Sequence, residues 1–168
     1  MLLAENGADL KAITKDEKET ALHILCSAEP AEKRSPNAAI IYQLLDVIRK
    51  KQNCENDDID AVINLGDCNG LTPLMLATSH PDCDAKVVRV LVDAFCADVN
   101  STDRGGGTAL HHAAVVGSYE IAKALLDQPN IDINARDRQL ATPLSTAVMH
   151  SQVDIVRLLL EKLSLIHI

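Results

Sequence analysis

Two adjacent histidines, His111 and His112, lie in the stretch GGGTALHHAAVVGS (105–118), beside three glycines and Thr108. Such residue types could hold a phosphate or a metal ion. A glycine-rich phosphate loop also needs a lysine, and none follows. Metal ligands must converge, whereas adjacent residues of a helix point about 100° apart, and no acidic or cysteine partner stands at ligand spacing. We therefore predict no metal and no cofactor at this stretch.

Cysteine usage, charge and hydropathy restrict the class of protein further. The cysteines are odd in number and form no C-x-x-C pair, which fits neither a disulfide framework nor a zinc site; they are Cys26, Cys54, Cys68, Cys83 and Cys96. We therefore expect an intracellular location, cytoplasmic or nuclear. A net charge of -8 argues against nucleic acid as a partner, since phosphate binding needs clustered basic residues. No apolar run approaches the ~18 residues that cross a bilayer, so we expect no membrane insertion.

The histidine stretch is one copy of an internal repeat. Four strings share a threonine with a leucine two residues later: ETALHILCSA (19–28), LTPLMLATSH (71–80), GTALHHAAVV (107–116) and ATPLSTAVMH (141–150). The last two threonine-to-threonine intervals are 36 and 34 residues. Each later unit continues with apolar residues at helical spacing, such as Ile121-Ala122 with Leu125-Leu126, which predicts a second helix with one buried face.

A turn-forming sequence follows the second helix, as in CADVNSTD (96–103) and NIDINARD (130–137). The complete pattern resembles the ankyrin repeat, D-x-x-G-x-T-P-L-H-x-A-A, then G, then I-V-x-x-L-L, then G-A-D-V-N. It extends over nearly the whole chain. The resemblance implies an all-α solenoid of stacked helix-turn-helix units joined by β-hairpin-like loops. In that pattern Gly106 is the turn glycine, His111 lies beside the capping threonine, and Gly117 separates the two helices.

The residue types also have physical reasons. A threonine oxygen can cap the first helix, and Pro73 or Pro143 follows where a backbone N–H is not needed. Small residues allow the first helices to approach closely; they are Ala77, Ala113, Ala114 and Ala147. Three residues replace family glycines: Lys18 and Leu140 before the capping threonine, and Ser151 between the helices. We expect the two affected hairpins to be tighter or slightly altered in shape.

The pattern divides the chain into units. We assign 1–12 to the tail of a truncated repeat, 13–64 to a repeat with about 19 inserted residues, 65–100 and 101–134 to two repeats, 135–162 to a partial repeat, and 163–168 to a non-native tail. The tail, LSLIHI, stands where the family has Gly-Ala-Asp and matches the translation of a sequencing adapter. A native apolar C-terminal cap is the alternative. Both ends predict a fragment of a longer array.

The resemblance implies a non-catalytic, monomeric module that binds a protein partner through hairpin tips and the concave face of the first helices. By position, the tip contacts are Asn69, Arg104, Arg136, Arg138 and Gln139, and the helix contacts are Leu76, Ser79, His112, Val115, Val116, Thr146 and Met149. Packing between units and plain solvation are the alternatives for these side chains. The three arginines suggest an acidic peptide as partner. The alternative function is a regulatory or targeting domain of a longer enzyme or channel.

Asn134 carries a separate hypothesis. With Leu126, Asp132 and Ile133 it resembles the spacing accepted by the ankyrin-directed asparagine hydroxylase, so the resemblance suggests that Asn134 is a hydroxylation substrate. The alternative is that asparagine at this position only hydrogen-bonds the turn.

Overall fold

The computed structural model describes residues 12–27, 38–51 and 62–166, with side chains described for 12–27, 38–46 and 62–164. This part of the chain contains eight α-helices: α1 (Ala21–Ser27), α2 (Ala38–Lys51), α3 (Pro73–Thr78), α4 (Ala85–Arg89), α5 (Ala109–Val116), α6 (Tyr119–Leu126), α7 (Pro143–Met149) and α8 (Val153–Ile166). A π-helical turn, Val90–Ala94, extends α4. None of the described residues forms a β-strand, and the helices are joined by hydrogen-bonded turns.

The helices form two layers. The first helices of the units contact one another in the order α1, α3, α5 and α7, and the second helices do so in the order α2, α4, α6 and α8. Each unit is therefore a helix pair that packs mainly against its neighbours. This arrangement confirms the predicted all-α solenoid.

Small residues are buried where the first helices meet. Ala77, Ala113, Ala114 and Ala147 are all fully buried. The layer behind them is filled by the apolar residues of the second helices, such as Ile121 and Leu125, which are also fully buried. Burying one such large side chain contributes about 1.5–3 kcal/mol, so these contacts are the main source of stability.

The helix starts follow the predicted capping chemistry. The Thr72 hydroxyl oxygen accepts from the Met75 backbone N–H at 3.3 Å, and Pro73 is the first residue of α3. In the fourth unit the Thr142 hydroxyl accepts from the Ser145 N–H at 3.3 Å, while the Thr142 N–H donates to the Ser145 hydroxyl at 2.8 Å. These bonds satisfy backbone N–H groups that have no partner within the helix.

The residues that replace family glycines keep a left-handed backbone. Leu140 has φ 62° where Gly106 has 80°, and Ser151 has φ 58° where Gly117 has 82°. The Leu140 hairpin is therefore not reshaped, and the steric cost falls on the leucine itself. The Lys18 turn does differ, because the backbone N–H of Lys18 bonds Thr14 O, four residues earlier, where that of Gly106 bonds Asp103 O, three residues earlier.

Cys96 is a further replacement. It precedes Ala97-Asp98 where the family pattern has glycine, and its φ is 55°. The replacement is visible in the sequence, because CADVN (96–100) stands where the family pattern has GADVN.

Several sequence predictions concern residues outside the described ranges. These are the truncated repeat over 1–11, the insertion residues 28–37 and 52–61, and the last two residues. The last described helix, α8, continues to Ile166, four residues beyond the predicted end of the partial repeat, and Leu163 packs partly buried against the core. All of the unit boundaries, including the start of the tail at residue 163, stay predictions. No helix among the described residues has both the length and the apolar character needed to cross a membrane.

Candidate partner-binding surface

Each of the last three hairpin tips is built on one aspartate: Asp67, Asp103 or Asp137. In every case the Oδ1 atom accepts two hydrogen bonds, from the backbone N–H groups two and four residues later, at 2.7–2.9 Å. A charged acceptor makes these bonds stronger than neutral ones. The turn backbone is therefore held in one conformation in three successive units.

Backbone hydrogen bonds also tie each tip to the next. Arg104 N donates to Asn69 O, and Arg138 N donates to Gly105 O, both at 2.9 Å. A third bond of this kind joins Cys68 N to Glu17 O at 2.7 Å. The side chains of Asn69, Arg104 and Arg138 are exposed on this fixed backbone.

His111 has a structural position, as the sequence predicts. Its Nδ1 accepts from the Thr108 backbone N–H at 3.2 Å and lies 3.0 Å from the Thr108 hydroxyl. Its Nε2 donates to Ala141 O of the next unit at 3.1 Å. His23 makes the same set of bonds with Thr20 and Leu71 in the first unit. Burial lowers the pKa of His23, so the neutral imidazole fits this position.

The neighbouring His112 makes a different contact. Its Nε2 donates to Oδ2 of Asp103 at 2.9 Å, which links α5 to the tip of its own unit. The two adjacent histidines therefore have different partners: His111 bonds to the next unit, and His112 bonds to the tip of its own unit. Among the described residues, no three of the potential ligands His, Cys, Asp and Glu lie close enough to hold a metal ion.

A groove of about 450 Å³ lies on the third and fourth units. It is lined by seven of the predicted contacts: Arg104, His112, Val115, Arg138, Gln139, Thr146 and Met149. Met149 is 64% exposed and Val115 is 41% exposed, whereas Thr146 is only 6% exposed and offers little surface. The structure therefore brings tip residues and helix residues of two units into one surface.

Five predicted contacts lie outside this groove. Arg136 is exposed on the fourth tip, Val116 is half-buried at the end of α5, and the other three, Asn69, Leu76 and Ser79, belong to the second unit. The Ser79 hydroxyl donates to Met75 O at 2.8 Å, which reduces its availability to a partner.

Six residues that line the groove were not predicted as contacts: Asp103, Gly105, Gly107, His111, Asp137 and His150. Asp137 belongs to the turn that holds the fourth tip, and His150 follows α7. His150 stands 34 residues after Val116, so the repeat period could have identified it.

The three arginines near the groove form no salt bridge with a described residue, unlike several other cations of the protein. Arg104, Arg136 and Arg138 make no ion pair and no side-chain hydrogen bond with any described residue. By contrast, Arg89 and Lys162 both contact Asp127, at 3.8 and 3.3 Å. The positive charges at the tips are therefore available to a partner.

Asn134 differs from its counterpart one unit earlier. The Asn100 side chain donates to Asn130 O at 2.7 Å and accepts from Asp132 N at 2.8 Å, which joins two units. Asn134 is exposed, and its side chain makes no hydrogen bond with the described residues, because α8 continues as a helix where a turn would supply the partner. Hydroxylation of Asn134 stays a prediction.

Comparison with known proteins is consistent with this architecture. The family model described as "Ankyrin repeats (3 copies)" matches residues 31–137 and 84–167. The chain belongs to the ankyrin-repeat family. Proteins of this family are generally protein–protein interaction modules and generally not enzymes.

One curated relative is the "Ankyrin repeat-containing protein C6C3.08" of Schizosaccharomyces pombe. It is 32% identical over 110 residues, which cover 66% of this chain and 39% of that protein. The chain therefore matches 39% of the relative's length, and the relative's name gives no partner or substrate.

Proposed function

We propose that this chain is a non-catalytic module that binds a protein partner in the groove of the third and fourth units. The observation that carries the proposal is that hydrogen-bonded tips present Arg104 and Arg138 beside the exposed Val115 and Met149. Arginine and methionine are enriched in protein interfaces. The tip backbone is already ordered, so binding would lose less conformational entropy than with a mobile loop.

The chemistry of the groove favours binding over catalysis. Both ring nitrogens of His111 are engaged, and one nitrogen of His112 is held by Asp103. Neither histidine is paired with a serine or cysteine nucleophile in the groove. We infer the same non-enzymatic role for the chain that its family generally has.

We also propose that the protein is located in a reducing intracellular compartment and that it is a monomer. The described cysteines are free thiols, and Cys26 and Cys83 are buried. Burial raises the pKa of Cys83 to about 11, so its reactive thiolate form is suppressed. Regulation of an attached enzyme or channel, the alternative function, has no observation in its favour among the described residues.

The test is a selection of peptide ligands on the purified chain from a random displayed library, followed by titration of synthetic copies. We expect Met149→Glu to weaken the selected ligands about tenfold or more, because it places a charge in the apolar part of the groove. Val153→Glu is the matched control, since Val153 is an equally exposed apolar residue of the same unit but lies on the second helix. Ligands that respond to Val153→Glu and not to Met149→Glu would refute this site.

A further inference from the structure

The side chains that line the groove repeat from the third unit to the fourth, and this repeat restricts which ligands can bind. Arg104 and Val115 of the third unit recur as Arg138 and Met149 of the fourth, each 34 residues later. All four side chains line the groove. A row of guanidinium groups along the tips thus runs parallel to a row of apolar side chains along the first helices.

The earlier units do not continue this pairing. In the second unit the equivalent positions hold Cys68 and Ser79. In the first unit the tip carries Glu17, whose carboxylate accepts from the Cys68 thiol at 3.0 Å. Among the described units, only the third and fourth therefore combine a tip arginine with an exposed apolar residue at the equivalent position of the first helix.

The carboxylates of the groove keep their negative charge, but they are less exposed than its guanidinium groups: the Asp103 side chain is 14% exposed and Asp137 is half-buried, whereas Arg104 and Arg138 are exposed. Oδ1 of Asp103 accepts two backbone N–H groups and its Oδ2 accepts from His112, so this carboxylate is already solvated by the protein. Oδ1 of Asp137 likewise accepts two backbone N–H groups. Arg104 and Arg138 have no such partner among the described side chains. The exposed charge at the tips is therefore positive, which favours an anionic ligand there.

The spacing between equivalent residues of the third and fourth units restricts the backbone conformation of a bound peptide. Helices α5 and α7 pack against each other, which places equivalent residues about 8–10 Å apart. In a polyproline II segment, side chains three residues apart lie on the same side at about 9 Å. In a β-strand, side chains on one face recur at about 7 Å or about 13 Å, which does not match.

From this geometry we propose that the groove binds a polyproline II segment of a partner protein in which an acidic residue followed by an apolar residue recurs every three positions. The acidic side chains contact Arg104 and Arg138, and the apolar side chains, one position later, contact Val115 and Met149. The segment runs along the stacking direction across the third and fourth units. This inference rests on the proposed function, since it names the partner chemistry of the same groove.

The test uses three labelled twelve-residue peptides and fluorescence anisotropy at low salt. The first repeats Asp-Leu-Pro, the second replaces each aspartate with asparagine, and the third has the composition of the first in blocks of identical residues. We expect the first to bind about tenfold more tightly than either of the others, because two exposed charge pairs each contribute about threefold. Added salt should reduce that preference.

Two variants of the protein test whether the preference for aspartate arises at the groove. Arg104→Gln together with Arg138→Gln should remove the preference for aspartate over asparagine. Lys123→Gln removes an exposed positive charge from α6, on the second-helix layer, and should leave the preference intact. The proposal is wrong if the three peptides bind alike, or if Lys123→Gln has the effect expected of the arginine variants.

The two proposals fail separately. If selected library ligands depend on Met149 but the Asp-Leu-Pro peptide is no better than its asparagine version, the groove binds a partner of different chemistry and only this inference fails. If no ligand responds to Met149→Glu, the proposed function fails as well.

Discussion

The third and fourth units share one pattern, yet they are packed differently. Helices α5 and α6 of the third unit contact helices on both sides, whereas α7 and α8 contact described helices on one side only. Ala114 is 0% exposed, and Val148, at the equivalent position, is 59% exposed. Leu126 is 5% exposed, and its equivalent Leu160 is 52% exposed. The contribution of an apolar side chain to the stability of this fold therefore depends on how much of its surface the next unit covers.

The two units also differ in the residues that hold their turns. The third has Gly106, His111 and Gly117, while the fourth has Leu140, Ser145 and Ser151. The backbone is nevertheless left-handed at both turn positions, although Ser151 N donates to Val148 O where Gly117 N donates to Ala113 O. At Leu140 this geometry is held by hydrogen bonds of the turn, since Leu140 N donates to Asp137 O and Ala141 N donates to Asp137 Oδ1.

The largest expected difference between the units concerns the leucine pair. Leu126→Ala should lower the free energy of unfolding by about 3 kcal/mol, since it leaves a cavity in a closed layer. Leu160→Ala should lower it by less than about 1 kcal/mol, because half of that side chain is already in water. Urea denaturation of both variants measures the contrast, and equal losses would show that the fourth unit is covered in solution.

A smaller effect is expected at the capping position. His111→Ala should destabilise by about 2 kcal/mol, because it removes the cap on Thr108 and leaves Ala141 O of the next unit without its side-chain donor. Ser145→Ala should cost about 0.5 kcal/mol, since Ser145 bonds only within its own unit. The same denaturation experiment tests this pair. Similar losses would mean that the bond between units contributes little.

Exchanging the turn residues should produce changes of opposite sign. Leu140→Gly should stabilise by about 0.5–1 kcal/mol, because a leucine at φ 62° is sterically disfavoured. Gly106→Ala should destabilise by at least about 1 kcal/mol, since an added Cβ would lie 3.0 Å from Arg138 N and the backbone φ is 80°. Thermal unfolding midpoints should move in opposite directions, and a lower midpoint for Leu140→Gly would contradict this account.

The smallest expected effect is the pH dependence of the free energy of unfolding that arises from His23, the capping histidine of the first unit. Burial lowers the pKa of His23 below its ordinary 6.5 in the folded protein, so the unfolded chain binds the proton more readily. The stability that neutral His23 contributes is therefore complete above about pH 6.5 and is lost progressively below it. His23→Ser, which copies the fourth unit, should reduce the loss of stability between about pH 7.5 and about pH 5.5. An unchanged loss in this variant would assign the pH dependence to other groups.

Much of this structure could be predicted from local sequence. A capping threonine, a proline at the first helical position and an apolar face at helical spacing act within a few residues, so the pattern located the helices. The repeat also predicted that Arg104 and Arg138 occupy equivalent positions of successive tips, and both side chains are exposed there; their role as partner contacts stays a prediction. It did not reveal that Leu140 would keep the turn geometry of a glycine.

Burial of single candidates could not be predicted in the same way. Thr146 and Met149 are three residues apart on α7, yet one is buried and the other exposed. His150 was missed although its repeat position was available.

Sequence alone was sufficient for the family, the helix pairs and their stacking order, because these depend on short-range preferences repeated at a regular interval. Only the tertiary structure decided which side chains line the groove and which arginines lack partners. Exposure and charge pairing depend on contacts between units, and those contacts join residues about one repeat apart in sequence.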